Sequence, residues 1–528
     1  MEEQDNLSAV SNETNDNASV QADEATAPSA QEEQAPAAAQ VAGGGEPSKP
    51  VNRVDKFFGI TKSGSNFKTE IIAGITTFMA MVYILMVNAG MFSGVIGGND
   101  PFGAAYIATA IGAVVGTMFM ALLARMPLAQ ASGMGINAFI VFTLLDVGTG
   151  LTYANCMLFT LIEGVIFVIL TVTGLRKKIF EAIPRSVRYA IPVGIGLFIA
   201  FIGMQNAGII VDNGSTLVSF KSFNVLADGF TYIGILAPLV AILGVLAIAV
   251  MSKKNVKGAV LWGILGSAAL YYGLAGIGVA AKATGCKEIF TAITMDNPFK
   301  AFAAWGKDSF AAAFRDGFNF DTYLSIGGHN AGTLVVVLLT TALSMCMIDM
   351  FDTLGTLYGA CAKGNLLDEK GTPIRMERML FSDAAATCIG SIAGASTVTT
   401  FVESSSGVSA GGKTGFTALV TAACFLAAMF LSPIAKLIPS AATAPALIWV
   451  GVLMMSSVTK IDWTDFAEAA VAFITFAVMA FGYSISKGIG AGMIAFVVIK
   501  LCTGKVKEIS IPTWVITVLF LAMFVLTN

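Results

Sequence analysis

Runs of about twenty apolar residues recur along the chain and constrain its fold more than any other feature. A bilayer whose hydrocarbon core is about 30 Å thick needs about 20 apolar residues per helix. Clear segments of this kind are residues 68–92, 103–124, 152–174, 186–205, 229–251, 257–276, 335–361, 414–437, 442–458, 464–482, 486–503 and 511–527. Shorter segments, or segments interrupted by Gly and Ser, are residues 131–147, 379–395 and 400–412. The pattern predicts an all-α polytopic membrane protein with about fourteen transmembrane helices, and it leaves open whether 511–527 is a full span.

The composition excludes a soluble globular protein. Of the 528 residues, 55% are hydrophobic and only 12% are charged, about half the charge of ordinary soluble domains. The first fifty residues are different, because they hold ten acidic residues, one basic residue and no apolar run. Such a segment cannot bury enough surface to offset its ordering entropy. We therefore divide the chain into a disordered acidic tail, residues 1–52, and a membrane-spanning domain, residues 53–528. The tail also lacks the basic and apolar regions of a cleaved signal peptide.

Lys and Arg in the short loops predict the orientation, because positive loops stay in the cytoplasm. With the N-terminus inside, the basic residues that fall on the cytoplasmic side are Arg125, Arg176, Lys177, Lys178, Arg185, Arg188, Lys253, Lys254, Lys257, Lys363, Lys370, Arg375 and Arg378. The long stretch 277–333 then faces outside. Lys436 and Lys487 fit this arrangement less well. The prediction is a multi-pass protein of the cell membrane with a cytoplasmic N-terminus and lipid around it.

Weak internal repetition indicates two inverted halves, as in many transporters. The run Thr-Thr-Phe-Met-Ala-Met at 76–81 is echoed 264 positions later by Thr-Thr-Ala-Leu-Ser-Met at 340–345. At the same offset Asn88 corresponds to Asp352. Polar, interrupted segments around Asn137 and Glu403 lie 266 apart. We expect two seven-helix repeats, at about 66–280 and 334–528.

Few carboxylates lie inside the apolar segments, and we count Asp349, Asp352 and Glu403, with Asp383 near a segment end. An ionisable group at membrane depth is costly and by default marks a substrate or ion pathway. Asp349 and Asp352 are three positions apart, so they are neighbours on one helix face. The alternative for each is a structural hydrogen bond to a neighbouring helix.

Two segments have the composition of broken helices. Residues 396–407, Ser-Thr-Val-Thr-Thr-Phe-Val-Glu-Ser-Ser-Ser-Gly, read as extended chain leading into a half-helix, and residues 131–139 after Pro127 have the same Gly-broken character. Irregular backbone at membrane depth is tolerated where it lines a cavity, and two half-helices can direct their N–H groups at a ligand. The alternative is a pair of closely packed helices with small residues at their interface.

One nucleotide-binding motif is present but lacks its context. Residues 407–414, Gly-Val-Ser-Ala-Gly-Gly-Lys-Thr, match the phosphate-binding pattern GxxxxGK[ST]. That motif needs a preceding buried strand in an α/β domain, whereas here a membrane segment follows it. We therefore expect no ATP binding, and Lys413 marks the cytoplasmic end of the half-helix with glycines that allow close packing. The single histidine, His329, lies in the outer stretch, so any proton coupling would have to use carboxylates.

Four separate motifs resemble one known family. They are Phe-Phe-Gly-Ile at 57–60 with Thr-Thr-Phe at 76–78, Gly-Met-Gly-Ile-Asn-Ala-Phe at 133–139, Asp-Met-Phe-Asp-Thr-Leu-Gly-Thr at 349–356, and Glu-Ser-Ser-Ser-Gly-Val at 403–408. In this order they resemble the AzgA-like branch of the nucleobase:cation symporter-2 family, the adenine, guanine and hypoxanthine permeases. The resemblance extends from about residue 53 to the end of the chain.

The resemblance implies a fold, a function and a site. It implies a core domain that carries short, discontinuous third and tenth helices, a gate domain that rocks against the core, proton symport and a possible homodimer. It assigns the purine to Asp352 and Glu403, with Asn137 supporting recognition. The other predicted substrate-binding residues are Phe139, Phe401 and Thr356. The candidates for proton coupling are Glu403, Asp352 and Asp349.

The chemistry of these residues is compatible with a purine nucleobase. A neutral purine presents N–H donors and ring nitrogen or carbonyl acceptors, which carboxylates, an amide and half-helix N–H groups can match, and Phe139 or Phe401 can stack on it. We expect no enzyme activity, no metal, no cofactor besides the coupling proton and no nucleic-acid partner. Two alternatives stay open: a transporter of another solute such as xanthine, uracil or an anion on the same fold, and a membrane enzyme or channel.

Overall fold

The structure is a computed structural model. It describes residues 52–145, 149–176, 183–224, 231–291, 293, 295–369 and 372–526. The predicted acidic tail, apart from its last residue, lies outside the described residues.

The described chain is almost entirely helical. Its long and half-length helices are α1 (Phe67–Phe92), α2 (Pro101–Ala124), α3 (Met134–Leu144), α4 (Tyr153–Val172), α5 (Arg185–Asn206), α6 (Tyr232–Lys253), α7 (Ala259–Ala280), α8 (Ala331–Lys363), α9 (Met376–Ala393), α10 (Ser404–Ser409), α11 (Gly415–Lys436), α12 (Ser440–Lys460), α13 (Phe466–Phe481), α14 (Ile485–Cys502) and α15 (Ile511–Leu526). Its strands are β1 (Gln130–Ser132), β2 (Ile210–Asn213), β3 (Leu217–Phe220) and β4 (Val398–Thr400). Shorter helices are Arg53–Phe58, Cys286–Thr291, Pro298–Ala304, Trp305–Ser309, Ala312–Arg315, Asp321–Leu324 and Val506–Glu508.

Among the described residues, ten helices are long and apolar enough to span a bilayer. The other helices of α1–α14 depart from that pattern for different reasons. α3 and α10 are half-helices, α13 is short, and α9 carries Glu377, Arg378 and Asp383. The chain is thus a multi-pass membrane protein. α15 corresponds to residues 511–527, for which the sequence left open whether they form a full span.

The two halves of the chain meet as inverted repeats, as predicted. β1 and β4 pair antiparallel, with Gln130 opposite Thr400 and Ser132 opposite Val398. The hydroxyl oxygens of Ser132 and Ser396 lie 2.8 Å apart. These two serines are 264 positions apart, the same offset as the Thr-Thr echo in α1 and α8. The repeat therefore brings equivalent residues together beside the paired strands β1 and β4. We call this place the strand crossing.

Packing sorts the helices into two groups. α9 packs on α2 and α4, and α11 packs on α1 and α2, which defines a core group of α1–α4 and α8–α11. α5 packs on α12 and α13, while α6 packs on α7 and α12, which defines a gate group of α5–α7 and α12–α14. The short strands β1 and β4 lie inside the core group. This is the core and gate arrangement that the family resemblance implies.

Lys436, which fitted the charge pattern poorly, has acidic partners. Its Nζ lies 2.7 Å from Asp296 Oδ2 and 3.2 Å from Asp100 Oδ1. Hydrogen bonds from Lys436 and Lys300 hold the pKa of the Asp296 carboxyl below its ordinary value. A lysine neutralised in this way at the end of α11 no longer conflicts with the predicted orientation.

Candidate functional site

The half-helices α3 and α10 begin just after the strands β1 and β4 end, inside the core group. We call this place the half-helix junction. Gly133 is the N-cap of α3, and its N–H donates to the carbonyl of Thr397 at 2.9 Å. A Cβ at Gly133 would lie 2.8 Å from the Thr399 methyl, so no larger residue fits. No side chain caps α3, which leaves first-turn N–H groups for a ligand. On the other side, a Cβ at Gly407 would lie 2.6 Å from the carbonyl of Ala73, so α10 packs tightly on α1.

Glu403 and Asp352 lie on either side of this junction. Glu403 immediately precedes α10, and its Oε1 accepts a hydrogen bond from the Tyr83 hydroxyl at 2.7 Å. The second oxygen of Glu403 has no partner among the described residues. Asp352 lies on α8, with its Oδ2 3.9 Å from the position that a Cβ of Gly133 would take. Asp352 interacts electrostatically with both Glu403 and Tyr83. The structure therefore brings these two predicted residues together and adds Tyr83.

Asn137 belongs to a buried hydrogen-bonded group at the strand crossing. Its Oδ1 accepts from the Ser132 hydroxyl at 3.1 Å and from the Ser396 hydroxyl. Its Nδ2 has no partner among the described residues, although the side chain is fully buried. Asn88, the repeat counterpart of Asp352, donates to the carbonyl of Ser132 at 3.4 Å. The Asn137 side chain thus links the ends of both strands.

The three remaining predicted residues are buried around the junction. Phe139 belongs to α3 and is part of the main hydrophobic core. Phe401 follows β4, and its N–H donates to the carbonyl of Ala129 at 3.1 Å. Thr356 is one helical turn beyond Asp352 on α8 and is also buried.

Asp349 turns away from Asp352 and joins a second, fully buried charge cluster. Arg176 Nη2 lies 3.1 Å from Asp383 Oδ2 and 3.5 Å from Asp349 Oδ2. The guanidinium also lies over the ring of Phe167, 4.2 Å from its centroid. The Thr353 hydroxyl donates to Asp383 at 3.0 Å. Glu163 on α4 interacts electrostatically with Arg176, Asp349 and Asp383. We call these four residues the inner cluster.

Two sequence interpretations were wrong here. Arg176 is not a loop residue of the cytoplasmic surface, because it is 1% exposed and pairs with two aspartates. The count of carboxylates in apolar segments omitted Glu163 and Glu70, both of which are fully buried. Glu163 lies in α4, and its Oε2 accepts from the Thr397 hydroxyl at 2.6 Å. Both glutamates could have been found from the sequence, because each is an acidic residue within a predicted span. Nothing in the sequence around Tyr83 indicates that its hydroxyl contacts Glu403.

The segment that matches the phosphate-binding motif, residues 407–414, lies against a carboxylate of the chain itself. Glu70 on α1 accepts from the backbone N–H of Lys413 at 3.0 Å and of Thr414 at 3.3 Å. It also accepts from the hydroxyls of Thr414 at 2.8 Å and Thr417 at 2.6 Å. A carboxylate of the chain itself therefore occupies the place where a phosphate would bind, at the N-terminus of α11.

Comparison with known proteins agrees with this arrangement. The model of a family described as the permease family matches residues 68–491. The guanine/hypoxanthine permease PbuO of Bacillus subtilis is 35% identical over 473 residues, which are 89% of this chain and all of that protein. The adenine permease AdeP of Escherichia coli is 35% identical over 472 residues, 89% of this chain and 96% of that protein.

The fold also has solved counterparts. The transmembrane domain of a cyanobacterial bicarbonate transporter, BicA, superposes with a TM-score of 0.52 at 15% identity, covering 80% of this chain and 97% of that domain. The relatives are permeases, which confirms the expectation of a transporter rather than an enzyme. They also confirm the resemblance on which the purine assignment was based.

Proposed function

The chain belongs to the permease family, and we propose that it imports purine nucleobases by proton symport with alternating access. The observation that carries the proposal is the pair of carboxylates at the place where the two half-helices begin: Glu403 immediately before α10, and Asp352 on α8 beside the start of α3. Relatives named for adenine and for guanine and hypoxanthine support the substrate class. The homodimer that the resemblance implies stays a prediction.

In this proposal Glu403 contacts the purine directly. One of its oxygens is oriented by the Tyr83 hydroxyl, so the other, which has no partner among the described residues, can accept from a ring N–H. Asp352 faces the same junction from α8 and contributes a second acceptor. The first N–H groups of α3 supply donors for ring nitrogens or a carbonyl of the base. Phe401, two residues before Glu403, and Phe139, on α3, are the aromatic residues that we assign to stacking on the base.

Alternating access follows from the two helix groups. The carboxylates, both half-helices and the strand crossing belong to the core group, so the base would travel with that group as it rocks against the gate group. A buried carboxylate that is protonated on one side and deprotonated on the other would couple this motion to the proton gradient. The sequence nominates Glu403, Asp352 and Asp349 for that proton.

The principal alternative is another solute on the same fold. The bicarbonate transporter shares the fold alone, and two acids at the junction disfavour an anion because they would repel it. Xanthine or uracil carry the same kinds of donor and acceptor as the proposed purines, so competition measurements must separate them.

Whole-cell uptake tests the proposal. Cells without their own purine permeases should accumulate labelled adenine, guanine or hypoxanthine when they express this protein, and a protonophore should abolish accumulation. Unlabelled xanthine, uracil and bicarbonate should compete less well than the preferred purine. Uptake that ignores protonophores but stops on ATP depletion would contradict symport.

Site variants test the residue assignment. Removing a partner from a charge-assisted hydrogen bond costs about 1.5–3 kcal/mol, against about 1 kcal/mol for a neutral one. Glu403→Ala and Asp352→Ala should therefore abolish uptake, whereas Asn137→Ala should weaken affinity about fivefold or alter purine preference. The exposed Asp316→Asn is the matched control. Wild-type accumulation in both Asp352→Asn and Glu403→Gln would refute the assignment.

A further inference from the structure

The inner cluster is a group of ionisable side chains that the proposed purine site does not use. Its three carboxylates are fully buried, and its one guanidinium is 1% exposed. Glu163 comes from α4, Asp349 from α8 and Asp383 from α9, while Arg176 follows α4. All of these elements belong to the core group. Within the described residues, no three His, Cys, Asp or Glu side chains are arranged to hold a metal ion. The cation at the centre of the cluster is Arg176.

The charge balance of the cluster calls for a proton. With every group ionised, three carboxylates and one guanidinium carry a net charge of −2 at membrane depth, which is strongly unfavourable. Asp383 is the best-compensated carboxylate, because it accepts from Arg176 at 3.1 Å and from Gln130 Nε2 at 3.3 Å as well as from Thr353. Asp349 also pairs with Arg176.

Glu163 lacks such compensation. No Lys, Arg or His nitrogen forms an ion pair with it among the described residues. Its only described hydrogen-bond partner is the Thr397 hydroxyl, and its Oε1 has none. A hydroxyl can donate to a carboxylate and can also accept from a carboxylic acid. Glu163 is therefore the member of the cluster whose surroundings tolerate either protonation state.

One residue connects Glu163 to the purine site. The Thr397 hydroxyl contacts Glu163, and the Thr397 carbonyl accepts from the N–H of Gly133, the N-cap of α3. The preceding residue, Ser396, contacts Asn137. A change in the Glu163–Thr397 hydrogen bond therefore acts, through the backbone of Thr397, on Gly133, the residue at which α3 begins.

We propose that Glu163 binds the coupling proton and that Thr397 transmits its protonation state to the half-helix junction, an inference that rests on the proposed symport. The Thr397 hydroxyl, before β4, contacts Glu163 directly. The other groups that interact electrostatically with Glu163 are Asp349 and Cys346 on α8, Asp383 and Cys388 on α9, and Arg176 after α4. The proton enters from the water on one side of the membrane and leaves to the water on the other, so no further reactant is needed. Glu403 and Asp352 are then free to serve the base.

Glu163→Gln in proteoliposomes is the first test. The amide mimics the protonated acid, so purine binding and counterflow exchange should continue within about twofold of wild type. Accumulation driven by a pH gradient should fall to equilibration. Glu377→Gln, the same substitution at an exposed site at the start of α9, is the matched control and should accumulate purine normally. Gradient-driven accumulation by Glu163→Gln at the wild-type level would overturn the inference.

Thr397→Val keeps the carboxylate and tests the same idea if Glu163→Gln does not fold. Losing the hydroxyl removes the hydrogen bond that stabilises ionised Glu163. Gradient-driven accumulation should therefore fall, because protonation of Glu163 no longer reaches the junction through this hydrogen bond. The alkaline limb of the residual uptake should move upward by about one pH unit, with purine affinity little changed. An unmoved limb would count against the inference. Wild-type protein that shows no protonophore-sensitive accumulation would instead overturn the proposed symport, and with it the role of Glu163.

Discussion

Replacing Glu70 distinguishes a structural cap from a nucleotide site. The Glu70 carboxylate accepts four hydrogen bonds at the N-terminus of α11, one at Oε1 and three at Oε2. Glu70→Gln can keep its amide oxygen toward the three donors at Oε2 but presents an NH₂ group to the N–H of Lys413. Losing one charge-assisted bond costs about 2 kcal/mol. Glu70→Ala removes the acceptor of all four donors. The two hydroxyls can rotate to other acceptors, such as the Glu70 carbonyl for Thr417, but the two backbone N–H groups cannot, so at about 2 kcal/mol each the cost is roughly 4 kcal/mol.

Lys413→Ala is the matched control, because the cap uses its backbone N–H. Among the described residues, its exposed side chain donates only to the carbonyl of Ser63, at 3.3 Å, so its removal should cost under about 0.5 kcal/mol. Thermal denaturation in detergent, followed by size-exclusion chromatography, should rank stability as wild type equal to Lys413→Ala, then Glu70→Gln, then Glu70→Ala. Lys413→Ala should also retain uptake. If Lys413→Ala were as damaging as Glu70→Gln, or if ATP stabilised the wild type but not Lys413→Ala, the assignment of Glu70 as a cap would be wrong.

Three further predictions concern topology, the tail and Tyr83. In intact cells an impermeant thiol reagent should label a cysteine placed at Lys307 and not one placed at Lys370, since 277–333 is predicted outside and 361–378 inside; the reverse pattern would invert the topology. Deleting residues 2–45 should change expression more than apparent KM for purine, because the tail's composition gives it no packing partner; a large rise in KM would show that it reaches the site. Tyr83→Phe removes the donor to Glu403 and should weaken purine affinity about tenfold with protein yield unchanged; an unchanged affinity would show that the hydroxyl does not orient Glu403.

The sequence predicted the parts of this fold that depend on local pattern. Apolar runs identified α1 and α8, and Gly and Ser interruptions identified α3 and α10 as half-helices. The contacts that complete the site could not be predicted in this way, because they join distant residues. Glu70 caps Lys413 across 343 positions, and Tyr83 reaches Glu403 across 320. Arg176 was misassigned because Lys177 and Lys178 follow it, and basic runs at a helix end ordinarily lie at the membrane surface.

Asp349 and Asp352 should give different defects, although they are three positions apart on α8. Residues at that spacing differ by about 60° around a helix, which is enough here to place Asp352 at the purine junction and Asp349 against Arg176. Neutralising Asp349 removes a negative charge that interacts with Glu163, so protonating Glu163 becomes less favourable. Asp349→Asn should therefore move the alkaline limb of the uptake–pH profile to lower pH, opposite to Thr397→Val, whereas Asp352→Asn should raise KM and leave the limb in place. Uptake–pH profiles measured on both variants in proteoliposomes check this, and a matching shift in both would mean that the two aspartates belong to one titrating group.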